Sequence, residues 1–396
     1  MHVLAGQTAL RALRSVRYRQ PVVALPEIER RSYRLRFLGR DEPMKLVPVD
    51  RSTTLPVPML ESTGFSFESV ECNMHVELWQ LGDIGTFTKE TPLELAVFER
   101  GKRVHQLKMR TRELPRTLPA DSLVRVNPYL YFVGPELIVA QLAPKLSLLQ
   151  LTQLIMELCG TYSLYPVPEQ GSEAQYELPP VTTVERIRHY AAYVKLSGGA
   201  SKLRKALAYA IEGSASPSET LLSLAMSLPR AEGGYGFGKP TLNVSLEPPE
   251  WVRGLVGGGS YILDAFWEDA LLDMEYESAA FHLDPLASSA LVAAREHPED
   301  ADPEATVWRS GRIAKADADR RRARDLEFLG IQVVPVTPFD LHDVRRMDQV
   351  AAFLARALEK RGVLDFDAWK SRLEEHAYRL ARQQLLEELR ANLEPS

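Results

Sequence analysis

Apolar and polar residues alternate in several short runs of this chain. MKLVPVD (44–50), NMHVELWQLG (73–82) and LELAVFE (93–99) are strand-like, and Pro and Gly separate them. After SLVRVNPYLYFVG the pattern turns helical. PELIVAQLAP predicts a short helix with Pro135 at its first position, and SLLQLTQLIMELCG predicts a second that ends at Gly160. YPVPEQGSEAQYELPPV (165–181) sets prolines among polar residues and reads as a linker. Helical spacing returns over 184–211, broken by Gly198-Gly199. SASPSETLLSLAMSL (214–228) predicts a capped helix, with Ser216 as N-cap, Pro217 in the first turn and Glu219 placed as in a capping box. TLNVSLEP, YILDAFW and ALLDMEYE alternate like strands, 309–329 is a charged helix ended by Gly330, and IQVVPVT (331–337) is a further strand. The tail, about 345–392, reads as two helices, with Trp369, Leu373, Tyr378, Leu380, Leu385 and Leu389 near one stripe. Such a stripe docks on its own domain or joins two copies in a homodimer.

These elements predict an α/β (α+β) chain. A mixed α/β N-terminal domain spans 1–165, a linker and helices 166–213, a second α/β domain 214–342 and C-terminal helices 343–396. The second domain runs helix, three strands, helix, strand, which calls for a mixed sheet flanked by helices. Composition changes this picture little: 396 residues suffice for two or three domains, and a net charge of -5 confines any nucleic-acid surface to a local patch. The two cysteines, Cys72 and Cys159, lack metal-type spacing and fit a reducing cytoplasm. No apolar run reaches membrane-spanning length, and the first twenty residues lack a signal-peptide core, so the expected location is cytoplasmic, with no membrane partner.

The candidate chemistry lies in YILDAFWEDALLDMEYESAAFH (261–282). Asp264 stands mid-strand among aliphatic neighbours, where a carboxylate is costly unless paired or bound to a cation. Glu275 and Glu277 are two apart and share a strand face; Asp273 has the same parity but sits nearer the turn. With a tight turn at about Trp267–Ala270, Asp264 and Glu275 converge on one hard cation, Mg²⁺ or Mn²⁺. Such an ion polarises a phosphodiester and lowers the pKa of an attacking water, and His282 stands where a general acid or base is needed. Alternating acids also arise as the solvated face of a strand. Glu219 is a fourth candidate, although its capping position explains it without catalysis. WRSGRIAKADADRRRARDLEFLG (308–330) carries Arg312, Lys315, Arg320 and Arg322 among its seven basic residues, as a phosphate-contacting helix would, or as a solvated, ion-paired helix face would.

In order and spacing these residues resemble the very-short-patch-repair-like endonuclease domain of the restriction-endonuclease-like, PD-(D/E)XK, superfamily, in the form found in proteins resembling abortive-infection, type IV toxin–antitoxin components. That pattern has a helix glutamate, a strand Asp, a strand E-x-D-G followed by a histidine, a helix D-x-x-R-x-x-x-L-x-x-x-G, and a strand ending V-T. The matching residues are Glu219, Asp264, Glu275 with Glu277, His282, then Asp319, Arg322, Leu326 and Gly330, and IQVVPVT. The resemblance covers about 214–342. It departs from the pattern at Glu277-Ser278, which replaces Asp-Gly, and in the long stretch 283–308. It implies a restriction-endonuclease-like sheet, a DNA substrate, metal at Asp264 and Glu275, assistance from Glu219, Glu277 and His282, and support or phosphate contact from Asp319, Arg320 and Arg322. It also implies phage defence or a toxin–antitoxin system, with a protein partner from such an operon. The alternative expectation is a catalytically inactive regulator, antitoxin-like, that uses the same fold to bind nucleic acid or a partner.

Overall fold

The computed structural model describes residues 2–17, 46–48, 84–98, most of 105–276, and 317–393. NMHVELWQLG (73–82), Glu277, His282, Arg312 and Lys315 lie outside the described residues. The chain is mixed α/β, with mixed sheets and flanking helices. It divides into two compact units, 1–220 with 388–396, and 221–387.

The first unit opens on strand β1 (His2–Leu4), which passes almost directly into helix α1 (Gly6–Arg17). The later strands are β2 (Leu46–Pro48), β3 (Leu93–Val97), β4 (His105–Gln106), β5 (Met109–Glu113), β6 (Thr117–Pro119), β7 (Leu123–Arg125) and β8 (Leu130–Val133). Six of them form one sheet in the order β4-β5-β3-β1-β8-β7, where β1 is parallel to β8 and antiparallel to β3, and β2 pairs with β6. Every residue of β3 is buried, as expected of an apolar run inside a sheet.

Helix α1 buries Leu10 and Leu13 together with Arg11, Arg14 and Arg17. Buried guanidinium groups are tolerated when paired and hydrogen-bonded. Arg14 grips Glu157 through two bonds of 2.9 and 2.7 Å. Arg17 donates to the carbonyls of Glu157 and Gly160, at the C-terminal end of helix α3 (Leu148–Leu158), where positive charge complements the helix dipole. Helix α2 (Pro135–Leu142) has Pro135 in its first turn. Ser147 and Gln150 close a reciprocal capping box on α3. Residues 165–181 run within the first unit: Gln175 bridges to Ser163, and Leu178 and Val181 are buried. Helices α4 (Val184–Tyr193) and α5 (Ala200–Tyr209) belong to the same unit.

The boundary between the units falls inside helix α6 (Pro217–Ser227). The second unit then contributes β9 (Thr241–Leu246), β10 (Tyr261–Trp267), β11 (Leu272–Tyr276), a helix α7 over 317–328, and β12 (Gln332–Val336). The sheet order is β12-β11-β10-β9; β9, β10 and β11 are antiparallel neighbours, and β12 lies parallel to β11. Tyr261 and Leu263 pack with Leu326 of α7 and with Ile331. Gly330, at φ +81°, ends α7 in the left-handed region that favours glycine.

The tail holds helices α8 (Pro338–His342), α9 (Val344–Lys360), α10 (Phe366–Leu373) and α11 (His376–Leu393). Over about 345–392, where a pair of helices was expected, there are therefore three, α9, α10 and α11, and the short α8 precedes them. A break at Glu374 and Glu375 splits the predicted stripe. Tyr378, Leu385 and Leu389 are buried in the single chain, and Leu380 is exposed. Among the described residues no helix is long and apolar enough to cross a membrane.

Candidate functional site

In β10 the alternation is complete: Tyr261, Leu263, Ala265 and Trp267 are buried, and Ile262, Asp264 and Phe266 face the other way, half-buried or exposed. The turn is tight, a single 3-10 turn at Glu268–Ala270 followed by Leu271 at φ +46°. It sets Phe266 opposite Asp273 and Ala265 opposite Met274. Continued by one residue, that register sets Asp264 across from Glu275. Asp264, Asp273 and Glu275 therefore share one face of two neighbouring strands, as directly opposed residues of an antiparallel pair do.

Regular backbone pairing lapses around Asp264. The β10–β11 pairs stop at Ala265 and Met274, and the β9–β10 pairs pass over Asp264 and Asn243, the latter at φ +49°. Side chains occupy the freed amides. The N–H of Tyr276 donates to Asp264 Oδ2 and that of Ala265 to Asp273 Oδ1, both at 3.1 Å. Asp273 is fully buried; its Oδ2 meets no N–H or hydroxyl, and its carboxyl group instead hydrogen-bonds that of Glu275.

Among the described residues, positive charge reaches this face from α7. Arg322 forms an ion pair with Glu275 and also donates to the carbonyl of Ile262. Glu275 Oε1 is buried in that ion pair without reaching hydrogen-bond geometry. Burial pushes the pKa of Asp264 up, opposed by the Tyr276 N–H and by Arg322. It pushes that of Glu275 up as well, opposed first by Arg322 and reinforced by Asp264. Asp273 is pushed up to about 8 by burial, then by the neighbouring charges of Glu275 and Asp264. One guanidinium does not offset three crowded carboxyl groups, so the face favours taking up either protons or a further cation.

Asp264 and Glu275 are thus brought together as expected. Asp273 joins them, although its place near the turn drew attention away from it; its parity with Glu275 was the available signal. Glu219 sits in the first unit, at the first turn of α6. There it accepts from the N–H of Ala215 at 2.9 Å, while its own N–H donates to Ser216 Oγ at 3.1 Å. Those bonds serve the capping role. On α7, Asp319 adds negative charge felt by Glu275, Arg321 pairs with Asp317, and Arg320 is exposed. Asp325 accepts from Tyr261 Oη at 2.8 Å and from the N–H of Gly257 at 3.0 Å, which fastens the glycine-rich β9–β10 connection to the helix.

A hard cation bound here would meet carboxylate oxygens, which are suitable ligands for Mg²⁺ or Mn²⁺. Among the described residues no group of three His, Cys, Asp or Glu side chains is placed to hold a metal ion. Asp264 and Glu275 stand nearest to solvent on this face, with Asp273 buried behind them. No family model, curated protein or solved structure matches this chain.

Proposed function

We propose that the second unit binds Mg²⁺ or Mn²⁺ at Asp264 and Glu275 and acts on the phosphodiesters of DNA as a metal-dependent endonuclease. The observation that carries this reading is the grouping of three buried or half-buried carboxyl groups on adjacent strands, close enough for each to feel the others' charge. Two carboxylates, completed by water and substrate phosphate, are the usual protein contribution to a Mg²⁺ site. The ion supplies charge against the negative charge that develops on a phosphate under attack. The order helix, three strands, helix, strand over 217–336 supports the resemblance to the restriction-endonuclease-like fold. Arg320 and Arg322 on α7 suit phosphate contact, and Glu277 and His282 follow β11 directly in sequence. The setting that accompanies this reading is cytoplasmic phage defence or a toxin–antitoxin pair.

The ion pair of Arg322 with Glu275 favours a second reading, because it neutralises a ligand without any metal. On that reading the chain is an inactive regulator that binds nucleic acid or a protein partner. Plasmid cleavage in Mg²⁺ or Mn²⁺ separates the two. The nuclease reading expects nicking that Asp264→Asn reduces by at least about a hundredfold, while thermal stability is retained. Absence of cleavage in either metal, together with DNA binding that Asp264→Asn leaves unchanged, establishes the regulator.

A further inference from the structure

Arg322 is placed to do two things that exclude each other. It neutralises Glu275 and holds the Ile262 carbonyl, and it is the helix residue whose guanidinium could meet a phosphate by a two-pronged contact. Its side chain is 29% exposed and that of Glu275 21%, so both reach solvent. Behind them, the buried Asp273 carboxyl group meets that of Glu275, so Arg322 is one guanidinium against a face of three carboxyl groups.

We propose that Arg322 and a divalent cation compete for Glu275, and that a phosphodiester resolves the competition by drawing Arg322 onto its own oxygens. The inference rests on the metal-site reading above and adds its regulation. With no nucleic acid, Arg322 stays on Glu275 and the cation binds weakly. A phosphodiester accepts Arg322, Glu275 is released, and the cation completes the site. Metal and DNA then bind with positive coupling, and the coupling is reciprocal: whatever factor DNA adds to metal affinity, metal adds to DNA affinity. Such an arrangement loads the metal chiefly where there is substrate to act on.

The test titrates Mn²⁺ into the full chain calorimetrically, alone and with a saturating short DNA duplex, in the wild type, Arg322→Gln and Glu275→Gln. In the wild type the duplex should raise Mn²⁺ affinity on the order of tenfold, within the usual range of coupling between sites. Arg322→Gln should bind Mn²⁺ more tightly than the wild type without DNA, and the duplex should add little. Glu275→Gln frees Arg322, so when no metal is present it should bind the duplex more tightly than the wild type and more tightly than Asp264→Asn, which removes the same charge from this face and leaves the ion pair; equal gains in the two variants overturn the competition. Thermal unfolding of each variant reports whether it is folded, and Glu275→Gln carries the test if Arg322→Gln does not fold, because substrate phosphate on the metal couples Mn²⁺ to DNA in the wild type with or without the competition. Mn²⁺ binding that is indifferent to DNA in the wild type overturns the competition alone. Failure of Mn²⁺ to bind the wild type and Arg322→Gln, with or without DNA, overturns the metal site and the competition together.

Discussion

Asp273, fully buried, accepts from the Ala265 N–H with one carboxyl oxygen and shares a side-chain hydrogen bond with Glu275. Its pKa in the folded chain, pushed up to about 8, lies well above the ordinary aspartate value of 3.8. The folded state therefore holds a proton that the unfolded state releases, and stability is lost as pH rises through that window. Below pH 4 the Asp273 contribution is fully present; by pH 8 it is gone. Asp264 and Glu275, also shifted upward, act in the same direction. Urea unfolding of the metal-free protein should show stability falling between pH 4 and 8, with a slope from Asp273 of up to about 1.4 kcal/mol per pH unit. Asp273→Asn keeps an oxygen for the Ala265 N–H and cannot ionise, so its profile should be flatter than that of the wild type. An unchanged slope would assign the pH dependence to other groups.

At the scale of elements, the first turn of α1 is built around a side chain from another strand. Glu94 of β3 is buried, accepts from the N–H of Gln7 at 3.2 Å and pairs with Lys145. Gly6 makes room for it: at φ +50°, a Cβ on Gly6 would lie 1.6 Å from Glu94 Oε2. Gly6→Ala combines left-handed strain with that collision and should cost about 3 kcal/mol or more, measured as a fall in the denaturation midpoint. Gly238→Ala, at a similar φ of +81° but with open space where the Cβ would go, isolates the strain alone and should cost less. Neither α1 nor this contact was legible in the sequence. Helical periodicity marks a buried face by its apolar residues, and α1 buries three arginines whose partners are over a hundred residues away or, for Arg11, 73 away. Strands β10 and β11 were legible, because every second residue turns to the core and the intervening acids stand out against it. Asp273 was not, because its burial depends on the cross-strand register rather than on its neighbours in the chain.

At the scale of the whole molecule, the division inside α6 falls close to residue 214, where the run of elements starts the second α/β domain. The proline-rich stretch 165–181 has a linker's make-up, yet its Leu178 and Val181 are buried in the first unit. The tail was legible as helix but not as to its anchor, which is charged. Arg382 of α11 is fully buried; it bonds Asp348 of α9 at 2.8 and 3.1 Å, donates to the carbonyl of Leu373 at 2.9 Å, and lies 4.3 Å from the centre of the Tyr378 ring. Tyr235 donates to the same Asp348 at 2.7 Å. Asp348→Ala thus strands a buried guanidinium and a buried phenol at once. The expected cost is about 3–5 kcal/mol, because a buried charge without its partner loses far more than the pair contributed. Replacing both partners, Asp348→Leu with Arg382→Met, removes the charges together and should recover most of that loss. Urea unfolding of the three proteins gives the comparison. A single mutant as stable as the wild type would show that packing of Tyr378, Leu385 and Leu386, rather than the ion pair, holds α11; a double mutant no better than the single would show that Arg382 is needed for its bond to Leu373 and its ring contacts rather than for its charge.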